Sequence, residues 1–114
     1  MSKKAFCIDD YKSYPVVNFL NYCTNETLAD LGDSVCDLCD HDRNNIVFNF
    51  SNCEVINSLG LSTLLEVLML IQDYGGTVVI TGLDETKEKF FSLTGVFSVA
   101  EFADNLEEAI LKIK

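Results

Sequence analysis

Apolar positions along the chain recur with two different spacings, and the change from one to the other predicts the elements. Pro15 opens a run with Val16, Val17, Phe19 and Leu20, so residues 16–22 read as a strand. A shorter strand is expected at residues 4–8, with Asp9 to Ser13 as the turn between the two. From Thr24 the spacing becomes helical. Leu28, Leu31, Val35 and Leu38 repeat at three and four, and Asp30, Asp33, Asp37 and Asp40 follow two residues behind each. Two residues are about 200° around a helix, so the pattern predicts a helix over 25–40, capped by Thr24, with one face on a sheet and one in water. Gly32 weakens it slightly.

Asn44-Asn45 turns the chain into Ile46–Phe50, a central strand. A second helix is expected over about 60–74, with Leu61, Leu64, Leu65, Leu68 and Ile71 facing the sheet. Val67, Met69 and Leu70 fall partly outside that stripe, which predicts a second packing partner for this helix. Gly75-Gly76 supplies its C-cap, and the β-branched Thr77–Thr81 is a buried strand. Residues 84–93 read as a short helix ended by Gly95, residues 96–102 as a last strand, and Asp104 as the cap of a terminal helix burying Leu106, Ala109, Ile110 and Ile113. Strands alternating with helices imply an α/β layer fold. With no linker, repeat or low-complexity segment, residues 1–114 form one domain.

Charge narrows the partners. Acidic residues outnumber basic ones 18 to 8, for a formal net charge of −10. That argues against nucleic acid and anionic membrane surfaces, which recruit Lys and Arg, and leaves basic protein surfaces or no charged partner. No apolar run reaches the length of a membrane span, and the start Met1-Ser2-Lys3-Lys4 lacks the long apolar region of a signal peptide. A cytoplasmic protein is expected. Five cysteines, odd in number and irregularly spaced, read as reduced packing thiols rather than a disulfide framework.

Several chemistries can be weighed against these residues. Cys36-x-x-Cys39 with His41 is the one candidate metal cluster, but His41 lies about 200° from Cys39 on a helix, and a structural zinc needs a fourth ligand. No metal site is expected. The pair also closes a helix among aspartates, whereas a redox Cys-x-x-Cys opens one. His41 is the single histidine and reads as a solvated helix-end residue; without it no Ser-His or Cys-His catalytic pair can form, and no Gly-x-Ser-x-Gly elbow or P-loop occurs. The chain reads as a non-enzyme without a cofactor.

Ser58 remains, between a strand-like run and a helix-like run. A helix start offers unpaired N–H groups and a positive dipole end, so this hydroxyl is either an N-cap or the acceptor of a phosphoryl group. A phosphate there would add charge and bulk to a docking surface without disturbing the host domain.

The order of segments resembles the STAS domain of anti-sigma factor antagonists. The resemblance rests on Asn45–Phe50, the turn Val55-Ile56-Asn57-Ser58-Leu59-Gly60-Leu61, the leucine-rich helix ending at Tyr74-Gly75-Gly76, and Phe90-Phe91-Ser92-Leu93-Thr94-Gly95-Val96, with Asn105–Ala109 in the last helix. It covers about residues 14–112. It implies a mixed four- to five-stranded sheet with about four helices, mainly on one side. It also implies a partner that is both an anti-sigma factor and an ATP-dependent serine kinase, with Ser58 as phosphoacceptor and a phosphatase reversing the mark. ATP would belong to the kinase. The implied partner-binding residues are Asn57, Ser58, Leu59, Gly60, Ser62, Met69 and Leu70. Two positions and one segment differ from the family pattern: Asn57 replaces an aspartate, Leu59 a serine or threonine, and Leu20–Cys23 a Gly-Glu-Leu-Asp-like segment. Asn57 and Leu59 favour a second reading, a non-phosphorylated interaction subunit of a signalling scaffold or transporter complex.

Overall fold

The computed structural model describes residues 4–113, and of Phe97 the backbone only. The expectation for the first three residues of the chain lies outside the described part. Five strands form one mixed sheet in the order β1-β2-β3-β4-β5: β1 (Phe6–Tyr11), β2 (Tyr14–Cys23), β3 (Asn45–Ile56), β4 (Thr77–Thr81) and β5 (Glu101–Phe102). β1 and β2 are antiparallel, and the other neighbours are parallel. Four helices fill the connections: α1 (Leu31–Asp40), α2 (Ser58–Asp73), α3 (Glu85–Ser92) and α4 (Leu106–Ile113).

The topology explains where the helices sit. From β2 onward each parallel strand is added on the same side of the last, so right-handed crossovers place every connecting helix on one face. α1, α2 and α3 share that face, over a core in which Phe19 stacks on Phe50 at 4.4 Å and Phe91 meets Phe50 edge-on at 5.3 Å. α4, which connects nothing further, is free to cover the other face. There Ala109, Ile110 and Ile113 pack on Val16, Val47 and Val79. β2, β3 and β4 therefore bury both faces, Ile46, Phe48 and Phe50 pointing one way and Val47 the other. The expected sheet, with helices mainly on one side, is the one observed.

Several boundaries differ from the sequence reading: β1 starts at Phe6 rather than Lys4, α2 at Ser58 rather than Gly60, and the side chain that caps α4 is Asn105, whose Oδ1 accepts the Glu108 N–H at 2.9 Å, rather than Asp104. Asp9 and Asp10 belong to β1, and the turn is Lys12-Ser13 alone, with φ of 50° and 73° as a two-residue primed hairpin requires. The helix expected from residue 25 begins at Leu31. Ahead of it Thr24 and Thr27 bond each other's amides at 2.8 and 3.1 Å, and the chain continues through i to i+3 turns. β3 runs six residues past Phe50, because β2 continues alongside it through two register shifts. Residues 96–102 are not one strand. Gly95, at φ 82°, starts a 3₁₀ turn at Val96–Ser98, leaving only Glu101 and Phe102 to pair with β4.

Candidate functional site

The site is the turn from β3 into α2. Ile56 is buried at the strand end, which fixes the next residue as the one that leaves the sheet. Asn57 is the helix N-cap, extended at ψ 175°, and its Oδ1 accepts the Gly60 N–H at 2.7 Å. Its carbonyl accepts the Leu61 N–H at 2.9 Å and its own N–H donates to the Cys23 carbonyl at 3.1 Å. The Asn57 Oδ1, carbonyl and N–H are thus all engaged in holding the turn. The cap that Ser58 was expected to offer is made one residue earlier, so the Ser58 hydroxyl has no structural bond to make. It stands exposed at the first position of α2, without a hydrogen-bond partner among the described residues.

Gly60 explains why the turn sits where it does. A Cβ there would lie 2.4 Å from the Cys23 carbonyl oxygen and 3.1 Å from the Thr24 Cα, so only glycine lets α2 approach the end of β2. With the Gly60 and Leu61 amides taken, the Ser58 and Leu59 amides have no acceptor among the described residues and stand as donors at the positive end of the helix. No acidic side chain occupies the first turn of α2. Chemically, the site is an exposed primary hydroxyl on a rigid mount in a field that favours added negative charge.

The other expected partner-binding residues divide into two groups. Leu59 is 60% exposed and Ser62 is exposed one turn on, both beside Ser58. Met69 is 57% exposed and Leu70 half-buried, but eleven and twelve residues along α2 put them about 16 and 18 Å from Ser58. They share the helix surface without adjoining the hydroxyl. Val67, expected partly outside the core stripe, is buried. Sequence patterning missed Tyr22 and Val55. They are register partners on β2 and β3, 60% and 49% exposed, next to the strand ends that carry the turn. The signal was present in the Tyr22 and Val55 side chains, but reading it required knowing that β3 extends to Ile56. Beyond them a depression of about 430 Å³ is lined by Val55, Ile56, Thr86, Lys87 and Phe90, at the carboxyl ends of the strands where open α/β sheets present their binding crevices.

The cysteine and histidine candidates do not converge. Cys39 points into the core, where burial raises its thiol pKa, whereas His41 is exposed with Nδ1 2.7 Å from the Asp37 carbonyl oxygen. That carbonyl, with the Asp37 carboxylate beside it, raises the His41 pKa. Among the described residues no three Cys, His, Asp or Glu side chains are grouped to hold a metal, and no helix is long and apolar enough to cross a membrane.

The sequence model of the STAS domain family matches residues 13–109, which takes in β2 to β5 and the turn from β3 into α2 and leaves out β1. The chain belongs to the STAS domain family. Among solved structures, this STAS domain is similar to the Bacillus cell-fate determinant SpoIIAA in its phosphorylated form, with a TM-score of 0.73 and 17% identity, over 96% of this chain and 100% of that one. It is also similar to an anti-sigma factor antagonist of Mycobacterium paratuberculosis, with a TM-score of 0.79 and 17% identity over 95% and 92% of the two chains. RsbS of Moorella thermoacetica, in a serine-to-glutamate variant, gives 0.80 and 18% over 95% and 93%. At these identities the likeness is one of fold.

Proposed function

We propose that this STAS domain is an anti-sigma factor antagonist-like regulator that binds an anti-sigma factor with serine-kinase activity, and that phosphorylation of Ser58 switches the binding. The observation that carries this reading is the exposed, unbonded Ser58 hydroxyl at the first position of α2, on a turn held by Asn57 and Gly60. Phosphorylated SpoIIAA among the structural neighbours supports it.

In the transfer, the Ser58 oxygen attacks the γ-phosphorus of the ATP held by the kinase, the bond to the β,γ-bridging oxygen breaks, and ADP leaves. The hydroxyl proton goes to a base on the kinase. This chain offers none in the turn: position 57 is an amide, and its oxygen is already engaged by Gly60. The phosphate adds roughly −1.5 to −2 charges. Within the domain, the Ser58 and Leu59 amides accommodate it. Across an interface it opposes docking, because burying the exposed Leu59 side chain against a partner would desolvate the phosphate on the adjacent Ser58, which is costly. A phosphatase would restore the binding form.

The test is binding of the anti-sigma kinase encoded in the same genome, compared before and after incubation with ATP. Binding should be tight before and lost after, with Ser58→Ala insensitive to ATP. A second reading, a STAS interaction subunit without a phosphorylation switch, is favoured by Leu59, whose 60% exposed apolar side chain adjoins the hydroxyl. It requires equal binding with and without ATP.

A further inference from the structure

The turn that presents Ser58 rests on the end of β2, and that end carries an unused pair of thiols. Cys23 and Cys53 come from neighbouring strands and lie in the core with their sulfurs 3.6 Å apart. Cys7, Cys36 and Cys39 are the remaining free cysteines among the described residues. Packing alone does not require two sulfurs in contact, since any small apolar side chains would fill the space. The Cys23 carbonyl accepts the Asn57 N–H at 3.1 Å and is the atom that a Cβ on Gly60 would strike. The pair is therefore one residue's length from the mount of the proposed switch.

We propose that Cys23 and Cys53 are an oxidisable dithiol, closed to a disulfide by a peroxide, and that closure shifts the seat of the Ser58 turn. Cys53 is the attacking sulfur. It keeps about 5% exposure while Cys23 has none. Its pKa is lowered by the hydrogen bond between the two sulfurs and, against burial and the Asp84 and Glu54 carboxylates, by the Lys87 ammonium, itself buried and held by Asp84 at 2.7 Å. The same pairing raises the Cys23 pKa, so Cys23 keeps its proton until it is needed.

The Cys53 thiolate attacks one peroxide oxygen, the O–O bond breaks, hydroxide leaves, and Cys53 becomes a sulfenic acid. The Cys23 sulfur then attacks the Cys53 sulfur, the S–O bond breaks, and the Cys23 proton joins the departing hydroxide as water. In total two thiols lose two hydrogens and one hydrogen peroxide becomes two waters. Bond formation shortens the sulfur separation from 3.6 Å to about 2.05 Å, a contraction of roughly 1.5 Å. Rotation about the Cα–Cβ bonds supplies some of that, and the remainder, drawn from the end of β2, moves the carbonyl under Asn57 and the surface at Tyr22. The dithiol closes whether or not Ser58 is phosphorylated, so the proposal stands apart from the kinase reading.

The test treats the full chain with equimolar hydrogen peroxide, then combines alkylation and peptide mapping with amide spectra of the same sample. The expected result is a Cys23–Cys53 cross-linked peptide pair, with Cys7, Cys36 and Cys39 still alkylated. The Asn57, Ser58 and Gly60 amide signals should shift reversibly with dithiothreitol while those of Ala109 and Ile110 stay fixed. Oxidation confined to Cys7, or a link between Cys36 and Cys39, overturns the dithiol. A Cys23–Cys53 link that leaves the three turn amides unmoved overturns the coupling.

Discussion

The Asn57 amide donates to the Cys23 carbonyl across 3.1 Å, which ties the start of α2 to the end of β2 through a single backbone bond. Everything about the presentation of Ser58 follows from this tie and from the glycine that permits it. Gly60→Ala should lower stability by about 1–3 kcal/mol, because its Cβ would fall 2.4 Å from a backbone oxygen that cannot swing aside. Urea unfolding measures it. Gly32→Ala is the control, since a Cβ there meets nothing within 4 Å, and it should be neutral or stabilising.

Asn57→Ala removes the side-chain acceptor of the Gly60 N–H and should cost about 1 kcal/mol. Asn57→Asp keeps the acceptor and adds a negative charge at the positive helix end, so its thermal midpoint should equal or exceed the parent's. A midpoint for Asn57→Asp as low as that of Asn57→Ala would show that Asn57 does not act as the cap.

Replacing Ser58 separates folding from binding. Ser58→Asp should leave the isolated domain as stable as the parent or more stable by about 0.3–1 kcal/mol, while weakening the complex with the anti-sigma kinase. Ser58→Ala should fold normally and bind irrespective of ATP. Calorimetry on each variant, alone and with the partner, reads both quantities.

How much of this was legible in the sequence depends on the range of the interactions. The strand, turn, helix and double glycine from Ile46 to Gly76 are specified by neighbours in sequence, and so was the division of α1 into a buried Leu31–Val35 face and an exposed Asp33–Asp37 face. What escaped was set by distant contacts. The choice between Asn57 and Ser58 as cap is decided by burial of Ile56, and both residue types cap well. The length of β3 depends on β2 continuing beside it, which is why Cys53, in a polar stretch, is buried against Cys23. Thr24 and Thr27 satisfy each other, and α1 starts late for that reason. β5 shrinks to two residues because Gly95 leads the chain into a 3₁₀ turn.

Asp84 gives the domain an acid-sensitive joint. The Lys87 ammonium and amide hold its carboxyl below the ordinary value of 3.8. A carboxyl depressed by folding stabilises the folded state above its unfolded pKa, and the contribution is lost as pH falls through the folded value. Asp84→Asn keeps an N-cap but leaves the buried Lys87 without a counter-charge. Its thermal midpoint should lie below the parent's at pH 7, and the gap should close as pH drops below about 4. A gap that stays constant from pH 7 to pH 3 would rule out the ion pair as its source.

In the proposed switch, Ser58 is the residue through which a kinase acts on this surface. The direct measurement is tandem mass spectrometry of the chain after incubation with ATP and the anti-sigma kinase encoded in the same genome. One phosphate placed on Ser58, and no mass increase for Ser58→Ala, is the result expected. A phosphate on Ser62 or Thr63 instead, or an unmodified chain in a stable complex with an active kinase, would contradict it.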